Sequence, residues 1–224
     1  MPDLARTIES TLLRADADER SIVSLCRQAL THNFIGVCVN PCRVALARPL
    51  LAGSQTRLVT VVGFPLGANE PEIKHIEAQT AVDNGAQEID MVLNIGALKD
   101  QRREDLIREI AAIVEIGVPV KLIIETGLLD DEEMRRAVSC GVSAGVRFIK
   151  TSTGYGPRGA SVQDILLLRA LLPNSIGIKA SGGIKDLKQA LRLLEAGANR
   201  LGTSAAAAIY QEYLHDHDVN GDRR

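Results

Sequence analysis

The chain has 224 residues, of which 46% are hydrophobic and 24% charged, as is typical of one globular domain. Its formal net charge is −2, only 3% of its residues are aromatic and Trp is absent, so a nucleic-acid partner is not expected. No apolar run approaches the ~18 residues of a membrane span, and the charged first residues do not resemble a signal peptide. The four cysteines have neither metal-ligand nor disulfide spacing, which favours reduced thiols in a cytoplasmic protein.

Short β-rich runs alternate with amphipathic helical stretches along the chain. In chain order the predicted strands are Ile8–Leu13, Ile35–Val39, Leu58–Phe64, Glu88–Leu93, Val118–Ile124, Val146–Lys150, Ile176–Lys179 and Arg200–Thr203. The predicted helices include Glu70–Asn84, Asp100–Ile116, Asp131–Cys140, Val162–Leu172, Asp186–Glu195 and Ala205–Leu214. The helix-ending glycines are predicted to be Gly85, Gly117, Gly141 and Gly197.

This alternation predicts parallel βαβ units. About eight repeats without a break in composition favour an α/β protein with one (β/α)8 TIM barrel over an open doubly wound sheet. We expect the barrel to occupy residues 1–214. Residues 215–224 are too polar to pack, and we expect a flexible tail there.

The strands carry polar residues where a barrel interior is usually apolar. Successive strand residues point to opposite faces, and the apolar face should meet the outer helices. The residues then expected to point inward are Glu88, Asp90, Lys121, Glu125, Lys150 and Lys179. An ion-pair network that only satisfies the core is one interpretation, since buried charges need partners. Lys150 and Lys179, however, both end strands, at the side where barrel enzymes place their chemistry.

Two neighbouring lysines suit amine chemistry. An ammonium group beside a second amine disfavours protonation of that amine, and partial desolvation acts in the same direction. The neutral amine can then attack a carbonyl group and form an imine. The pair Lys150 and Lys179 therefore predicts a nucleophilic amine but does not name its substrate.

Two glycine-containing turns follow the last two predicted strands, at 181–184 and 202–204. Glycine lets the backbone approach a ligand closely, and the helix N-termini that follow offer free N–H groups to an anion. The loops after the seventh and eighth strands often bind phosphate in such barrels. The turns predict a phosphate site, although ordinary turn and N-cap chemistry also explains them.

Several segments, in order, resemble the deoxyribose-phosphate aldolase family of Schiff-base class I aldolases, from about Thr7 to Ala208. They are GVCVNP (36–41), VVGFPLG (61–67), EIDMVLNIG (88–96), KLIIETGLL (121–129), FIKTSTGYG (148–156), GASVQDILLLR (159–169), IGIKASGGI (176–184) and NRLGTSA (199–205). The strings FIKTSTG and IKASGG are the most specific of these.

The resemblance implies a lyase of deoxyribose phosphate degradation that reversibly cleaves 2-deoxy-D-ribose 5-phosphate to D-glyceraldehyde 3-phosphate and acetaldehyde. It also implies a homodimer that uses no metal and no organic cofactor. By position, Lys150 would form the imine, Lys179 would keep that amine neutral and help to move protons, and Asp90 would be the acid/base, acting through a water molecule. The residues implied to line the pocket or hold the phosphate are Thr151, Lys121, Cys38, Gly182, Gly183, Gly202 and Ser204. For Cys38, which matches a position near the pocket, a buried small hydrophobe is the preferred interpretation.

The chain departs from the family at three places, and the positions of Lys150, Lys179 and Asp90 are not among them. Glu9-Ser10 stands where Asp-His is common, so a contact with a substrate hydroxyl there is in doubt. Tyr155 replaces a frequent Phe, and Ala205 stands where a second small polar residue can occur. Two other functions stay open: another Lys-dependent phosphosugar aldolase or synthase, and a non-catalytic phosphosugar-binding barrel in which Lys150 never becomes attached to substrate.

Overall fold

The computed structural model describes residues 3–221 and contains a closed barrel of eight parallel strands. Each strand pairs with the next in the sequence, and β8 pairs with β1 to close the sheet. The strands are β1 (Ile8–Leu12), β2 (Gly36–Val39), β3 (Arg57–Val62), β4 (Glu88–Val92), β5 (Val120–Ile123), β6 (Phe148–Lys150), β7 (Gly177–Ser181) and β8 (Arg200–Thr203). The predicted (β/α)8 barrel is confirmed.

The α-helices connect the strands and follow the last one. Within residues 3–221 they are α1 (Glu19–Thr31), α2 (Val44–Leu50), α3 (Pro71–Asp83), α4 (Ile95–Lys99), α5 (Arg103–Val114), α6 (Asp131–Ala144), α7 (Val162–Leu171), α8 (Leu187–Glu195) and α9 (Ala206–Gly221). Helix α9 continues past the predicted end at Leu214, and residues 222–224 of the predicted tail lie outside the described residues. In the part of the chain that the structure describes, no helix has the length and apolar character needed to cross a membrane.

Most of the apolar core lies between the sheet and the surrounding helices. Alternate strand residues such as Ile89, Met91 and Leu122 are fully buried in this layer. A second, smaller apolar cluster consists of Leu13, Cys38, Val59 and Val61, with Phe64 packed against it. Its strand residues alternate with those of the outer layer, so this cluster lies inside the barrel. Charged side chains occupy much of the remaining interior, beside the buried Val92 and Ile123.

The prediction that Gly141 ends a helix is wrong, because α6 continues to Ala144 and ends at Gly145. Gly145 has a φ of 85°, the left-handed conformation that glycine adopts readily. Gly141 lies inside α6 for a packing reason instead. A Cβ atom there would come within 2.9 Å of Ile149 and 3.0 Å of Leu122, so the glycine lets α6 approach the barrel wall closely.

Candidate active site

Asp90 on β4 binds lysines from three different strands. Its Oδ2 accepts hydrogen bonds from Nζ of Lys150 at 2.8 Å and Nζ of Lys179 at 2.6 Å. Its Oδ1 accepts one from Nζ of Lys121 at 2.9 Å. Because Lys150 and Lys179 donate to the same oxygen, the distance between their Nζ atoms cannot exceed the sum of these two hydrogen-bond distances. The inward-pointing residues predicted by strand alternation therefore meet at one carboxylate.

The charged cluster continues from Asp90 toward the amino-terminal end of the barrel. Lys121 also lies 2.7 Å from Glu88 and 3.5 Å from Glu9. Glu9 accepts hydrogen bonds from Lys179 and from Nη1 of Arg200, the latter at 3.1 Å. Nη1 of Arg200 is 3.3 Å from Glu88. We call these side chains the lumen network: Glu9, Glu88, Asp90, Lys121, Lys150, Lys179 and Arg200.

The lumen network shifts the pKa values of Glu9, Asp90, Lys121 and Lys179 in the directions that keep these groups charged. Burial lowers the pKa of Lys179, but the Asp90 and Glu9 carboxylates outweigh burial and raise that pKa above its ordinary value. Burial raises the pKa of Asp90, and Lys121, Lys150 and Lys179 together lower it well below its usual range. The same opposition of burial and lysines lowers the pKa of Glu9. Asp90, Glu9 and Lys179 therefore carry their charges at neutral pH.

A pocket with a volume of about 260 Å³ opens above the network at the carboxyl ends of the strands. It is bordered by the residues after β1, β6, β7 and β8. Lys150 is the member of the lumen network that lines it. The other lining residues are Thr11, Leu12, Leu13, Arg14, Thr153, Gly154, Tyr155, Ser181, Gly182, Gly183, Ile184, Lys185, Gly202, Thr203 and Ser204. An amine thus forms part of the floor of a pocket whose rim is rich in glycine and small polar residues.

The four residues predicted to hold phosphate all line this pocket, namely Gly182, Gly183, Gly202 and Ser204. Gly182 and Gly183 have φ values of 83° and 74°, which favour glycine. A Cβ atom on Gly202 would lie 2.9 Å from Cε of Lys179, so this glycine also makes room for the lysine. Lys185, which directly follows the glycine turn, adds a cation to the rim and was not predicted.

Three predicted pocket residues are buried and do not line the pocket. Lys121 is fully buried beneath Asp90. Thr151 is fully buried, and its Oγ1 joins β6 to β7 by donating to the Ser181 carbonyl and accepting from the Ser181 amide. Cys38 is buried in the inner apolar cluster, where burial raises its pKa to about 11. Their buried positions suit support of the residues that line the pocket.

Glu125 differs from the prediction that it points inward with Asp90. Strand β5 ends at Ile123, so strand alternation no longer applies, and Glu125 has a φ of 52°. Its Oε2 accepts hydrogen bonds from the backbone N–H and hydroxyl of Thr153. Glu125 therefore anchors the segment after β6 and does not join the lumen network.

Two members of the lumen network, Glu9 and Arg200, were missed from the sequence as parts of the charged interior. The signal was present, since Ile8 and Leu201 occupy the outer faces of their strands and are fully buried there. The alternation that identified Asp90 also turns Glu9 and Arg200 inward. In the sequence, Glu9 was instead considered only as a residue at a family position that contacts a substrate hydroxyl.

Tyr155 crosses the mouth of the pocket. Its hydroxyl donates to the Leu13 carbonyl at 2.9 Å, and its ring meets that of Phe64 edge-on at 5.4 Å between centroids. The pocket lies on the β6–β7–β8–β1 side of the barrel, so Tyr155 forms a wall toward the remaining strands. The hydroxyl of Tyr155, which a phenylalanine at this position would lack, thus forms a hydrogen bond with the Leu13 carbonyl.

A closed (β/α)8 barrel with a lysine-centred network under a glycine-rimmed pocket at the strand carboxyl ends has the architecture of a barrel enzyme, with its pocket at the face where such enzymes place their active sites. The chain belongs to the DeoC/LacD family of aldolases, whose family model matches residues 9–212.

Individual relatives agree with this membership. The chain is 48% identical over 219 residues to the deoxyribose-phosphate aldolase of Exiguobacterium sibiricum, covering 96% of this chain and 99% of the relative. The solved structure of the aldolase QR15 superposes with a TM-score of 0.93 at 37% identity, covering 98% of this chain and 99% of that chain. The tetrameric deoxyribose phosphate aldolase from Aeropyrum pernix gives a TM-score of 0.88 at 34% identity, covering 95% and 92%.

Proposed function

We propose that this aldolase reversibly cleaves 2-deoxy-D-ribose 5-phosphate to D-glyceraldehyde 3-phosphate and acetaldehyde, with Lys150 as the imine-forming residue. The observation that carries the proposal is the position of Lys150. Its amino group lines the pocket while sharing one oxygen of Asp90 with a second lysine. The names of relatives close to half identical over nearly the whole chain support the substrate.

The charge count of the lumen network supports a neutral amine at Lys150. The network contains three carboxylates and four basic groups, so it is balanced when one lysine has lost its proton. Lys121 contacts three carboxylates and Lys179 contacts two, whereas Lys150 contacts Asp90 alone. An uncompensated charge is costly in a buried site. Lys150, the lysine at the pocket, is therefore the one whose loss of a proton leaves the fewest carboxylate contacts without a cation.

The reaction follows from this arrangement. The neutral Nζ of Lys150 attacks C1 of the open-chain aldehyde, and loss of water with uptake of one proton gives a protonated imine. The final hydrolysis returns this proton. The C3 hydroxyl gives its proton to Asp90 through a water molecule, and the C2–C3 bond breaks with release of D-glyceraldehyde 3-phosphate. The bonding electrons pass to the imine and form an enamine. Protonation at C2 and hydrolysis then release acetaldehyde and restore the amine, while Lys179 helps to move protons.

The rim of the pocket would hold the phosphate group. The turn at Gly182 and Gly183, together with Gly202 and Ser204, offers backbone approach and hydrogen-bond donors. Lys185 adds a positive charge on the same rim. We assign Lys121, Thr151 and Cys38 to supporting positions around the site, because all three are buried and none lines the pocket.

The direct test is cleavage of 2-deoxy-D-ribose 5-phosphate by the purified chain, followed through release of either aldehyde. Lys150→Ala should lower kcat by about 10⁴-fold or more, because the nucleophile is gone. Its fold should persist, because the remaining lumen network has equal numbers of carboxylates and cations. Far-UV circular dichroism checks the fold, and Lys188→Ala, at an exposed lysine on α8, is the matched control.

Other outcomes identify the alternative functions. Turnover of a different phosphosugar, but not of this one, would indicate another Lys-dependent aldolase or synthase. Binding of phosphosugars without turnover, and without attachment to Lys150, would indicate a binding protein. An unfolded Lys150→Ala variant would indicate that this lysine is needed for the fold.

We also propose a homodimer in the cytoplasm. The four cysteines are free, as in proteins of reducing compartments. Leu66, Ile73 and Ile76 are exposed large apolar side chains, which is compatible with association. Light scattering coupled to size-exclusion chromatography tests the dimer, and the mass of a monomer or of a tetramer would contradict it.

A further inference from the structure

Arg200 belongs to the lumen network but lies at the end of the barrel opposite the pocket. It is the first residue of β8, and Glu88, which it contacts, is the first residue of β4. Its Nη1 lies 3.1 Å from Glu9 and 3.3 Å from Glu88, and its guanidinium lies over the Phe148 ring at 5.2 Å. The side chain is only 16% exposed, so solvent screens these contacts poorly.

The contacts connect Arg200 to the nucleophile through successive ion pairs. Arg200 binds Glu9 and Glu88, both carboxylates contact Lys121, and Glu9 also binds Lys179. Lys121 and Lys179 in turn bind Asp90, which holds Lys150. A change of charge at Arg200 therefore acts on the same buried cluster that sets the charge of the amine.

We propose that Arg200 is a positioning residue that, by neutralising Glu9 and Glu88 from the far end of the barrel, sets the pH at which Lys150 becomes a neutral nucleophile. The inference rests on the proposed function, because it assigns a role within that imine chemistry. Residues at the amino-terminal face of such barrels usually serve stability, so a role in the pH dependence of activity distinguishes this arginine.

Lys150 is surrounded by titratable groups from several elements. Within the described residues these are Cys38 on β2, Asp90 on β4, Lys121 on β5 and Lys179 on β7, with Glu9, Glu88 and Arg200 beyond them and Arg14, Tyr155 and Lys185 at the pocket rim. Strand β3 contributes the apolar Val59 and Val61. Two groups can thus be altered far from the substrate, with opposite effects on the charge of the network: Arg200 and Glu88.

Removal of the arginine charge should shift the activity profile to higher pH. With Arg200→Met, three carboxylates face three lysines, so all three lysines can keep their protons. The neutral amine then forms only at a higher pH. Lys150 and Arg200 occupy paired positions two strands apart, roughly 10 Å between backbones. A unit charge at that distance, at an effective dielectric of about 20, shifts a titration by about one pH unit.

Removal of the Glu88 charge should shift the profile in the opposite direction. With Glu88→Gln, four basic groups share two carboxylates, and the neutral amine forms at lower pH. The double variant Arg200→Met with Glu88→Gln should lie near the parent chain. Arg200→Lys keeps the charge and should also restore most of the profile.

The experiment is the pH dependence of kcat/KM for 2-deoxy-D-ribose 5-phosphate in these variants. Arg57→Gln is the matched control, because Arg57 begins β3 at the same end of the barrel with an exposed side chain. The control should keep the parent profile. Opposite shifts in the two single variants, with recovery in the double variant, support the proposal.

A purely structural arginine would give a different result. Arg200→Met would then lower activity or solubility without moving the profile, and Glu88→Gln would leave the profile where it is. Unshifted or equally shifted profiles in a catalytically active chain would overturn this inference alone. An inactive parent chain would instead overturn the proposed function. Glu88→Gln keeps the test valid if Arg200→Met fails to fold.

Discussion

At the scale of single residues, Asp90 determines how the lysines are arranged. Both of its oxygens accept hydrogen bonds from lysine amino groups on β5, β6 and β7. Its negative charge also raises the pKa of Lys179, which therefore stays cationic beside Lys150. Lys179 and Lys150 do not form an isolated pair of like charges. Both share a carboxylate, and the excess positive charge of the whole network favours loss of one proton.

The first prediction concerns Lys179. Lys179→Leu should raise the pH at which aldol cleavage appears by at least about one pH unit, because a nearby cation is lost and Lys150 holds its proton more firmly. It should also lower the free energy of unfolding by about 3 kcal/mol, because Glu9 and Asp90 lose a buried partner.

The measurement is a pH–rate profile combined with urea unfolding. Lys188→Leu, at an exposed lysine on α8, should change neither quantity. A profile of Lys179→Leu that coincides with that of the parent chain would show that Lys179 has no electrostatic effect on the nucleophile.

The sequence predicted the inward lysines and Asp90 because strand alternation depends only on local geometry. It failed for Glu125, because nothing in the sequence marks the end of β5 at Ile123 or the left-handed backbone that follows. The pairing of Lys121 with Glu88 depends on the stagger between neighbouring strands, which alternation does not give. The strand face on which each residue lies was therefore predictable, but its ion-pair partner was not.

At the scale of elements, the segment after β6 connects Lys150 to the mouth of the pocket. Glu125 holds Thr153, whose Oγ1 also accepts from the Tyr155 backbone N–H at 3.0 Å. Tyr155 then reaches across to the Leu13 carbonyl. The loop that carries the pocket wall is therefore fixed both at its base and at its tip.

The second prediction tests this wall. Tyr155→Phe keeps the ring against Phe64 and removes the hydrogen bond to Leu13. A net hydrogen bond of about 1 kcal/mol corresponds to roughly a fivefold rise in KM, with kcat nearly unchanged. Steady-state kinetics on the phosphorylated substrate measures both quantities. Tyr210→Phe on α9, a tyrosine whose ring packs with those of His32 and Phe34, is the control. A loss of kcat without a change of KM would assign Tyr155 to the chemistry instead.

Element boundaries show the limit of local sequence signals. Glycines after α3, α5 and α8 were predicted as helix ends, and Gly85, Gly117 and Gly197 have positive φ values there. Gly141 carries the same local signal but serves the close packing of α6 on Ile149 and Leu122. That contact joins segments whose spatial relation is set by the barrel, so it could not be read from residues near Gly141.

At the scale of the whole molecule, an aliphatic layer surrounds a charged interior. The outer core of Ile, Leu, Val and Ala side chains closes the barrel, and the lumen network occupies positions that other barrels fill with apolar side chains. Buried ion pairs contribute little net stability and become costly when a partner is lost. The fold therefore depends on the protonation of the network.

The third prediction is that the free energy of unfolding falls in acid. Asp90 and Glu9 have pKa values below their ordinary values of 3.8 and 4.5, so the unfolded chain takes up protons first as the pH falls. The contribution of these two carboxylates to the free energy of unfolding is complete at pH values above their ordinary pKa values. It is lost as the pH falls below those values, at up to about 1.4 kcal/mol per pH unit for each carboxylate. The pKa of Lys179 is raised, so this lysine affects stability at alkaline pH. Its contribution to the free energy of unfolding is lost only as the pH rises above 10.5.

Urea unfolding between pH 6 and pH 3 measures the acid limb. Glu9→Gln should show a shallower dependence on pH, because one titrating carboxylate has been removed from the network. A free energy of unfolding that stays constant from pH 5 to pH 3 would contradict the buried charged network.

The central claim is that the amine of Lys150 becomes covalently bound to substrate. Borohydride reduction of the chain in the presence of 2-deoxy-D-ribose 5-phosphate, followed by peptide mass mapping, tests it most directly. We predict a stable adduct on the peptide that contains Lys150 and none on that peptide in Lys150→Ala. An adduct found only on Lys179 or Lys121, or no adduct in a chain that turns the substrate over, would contradict the account.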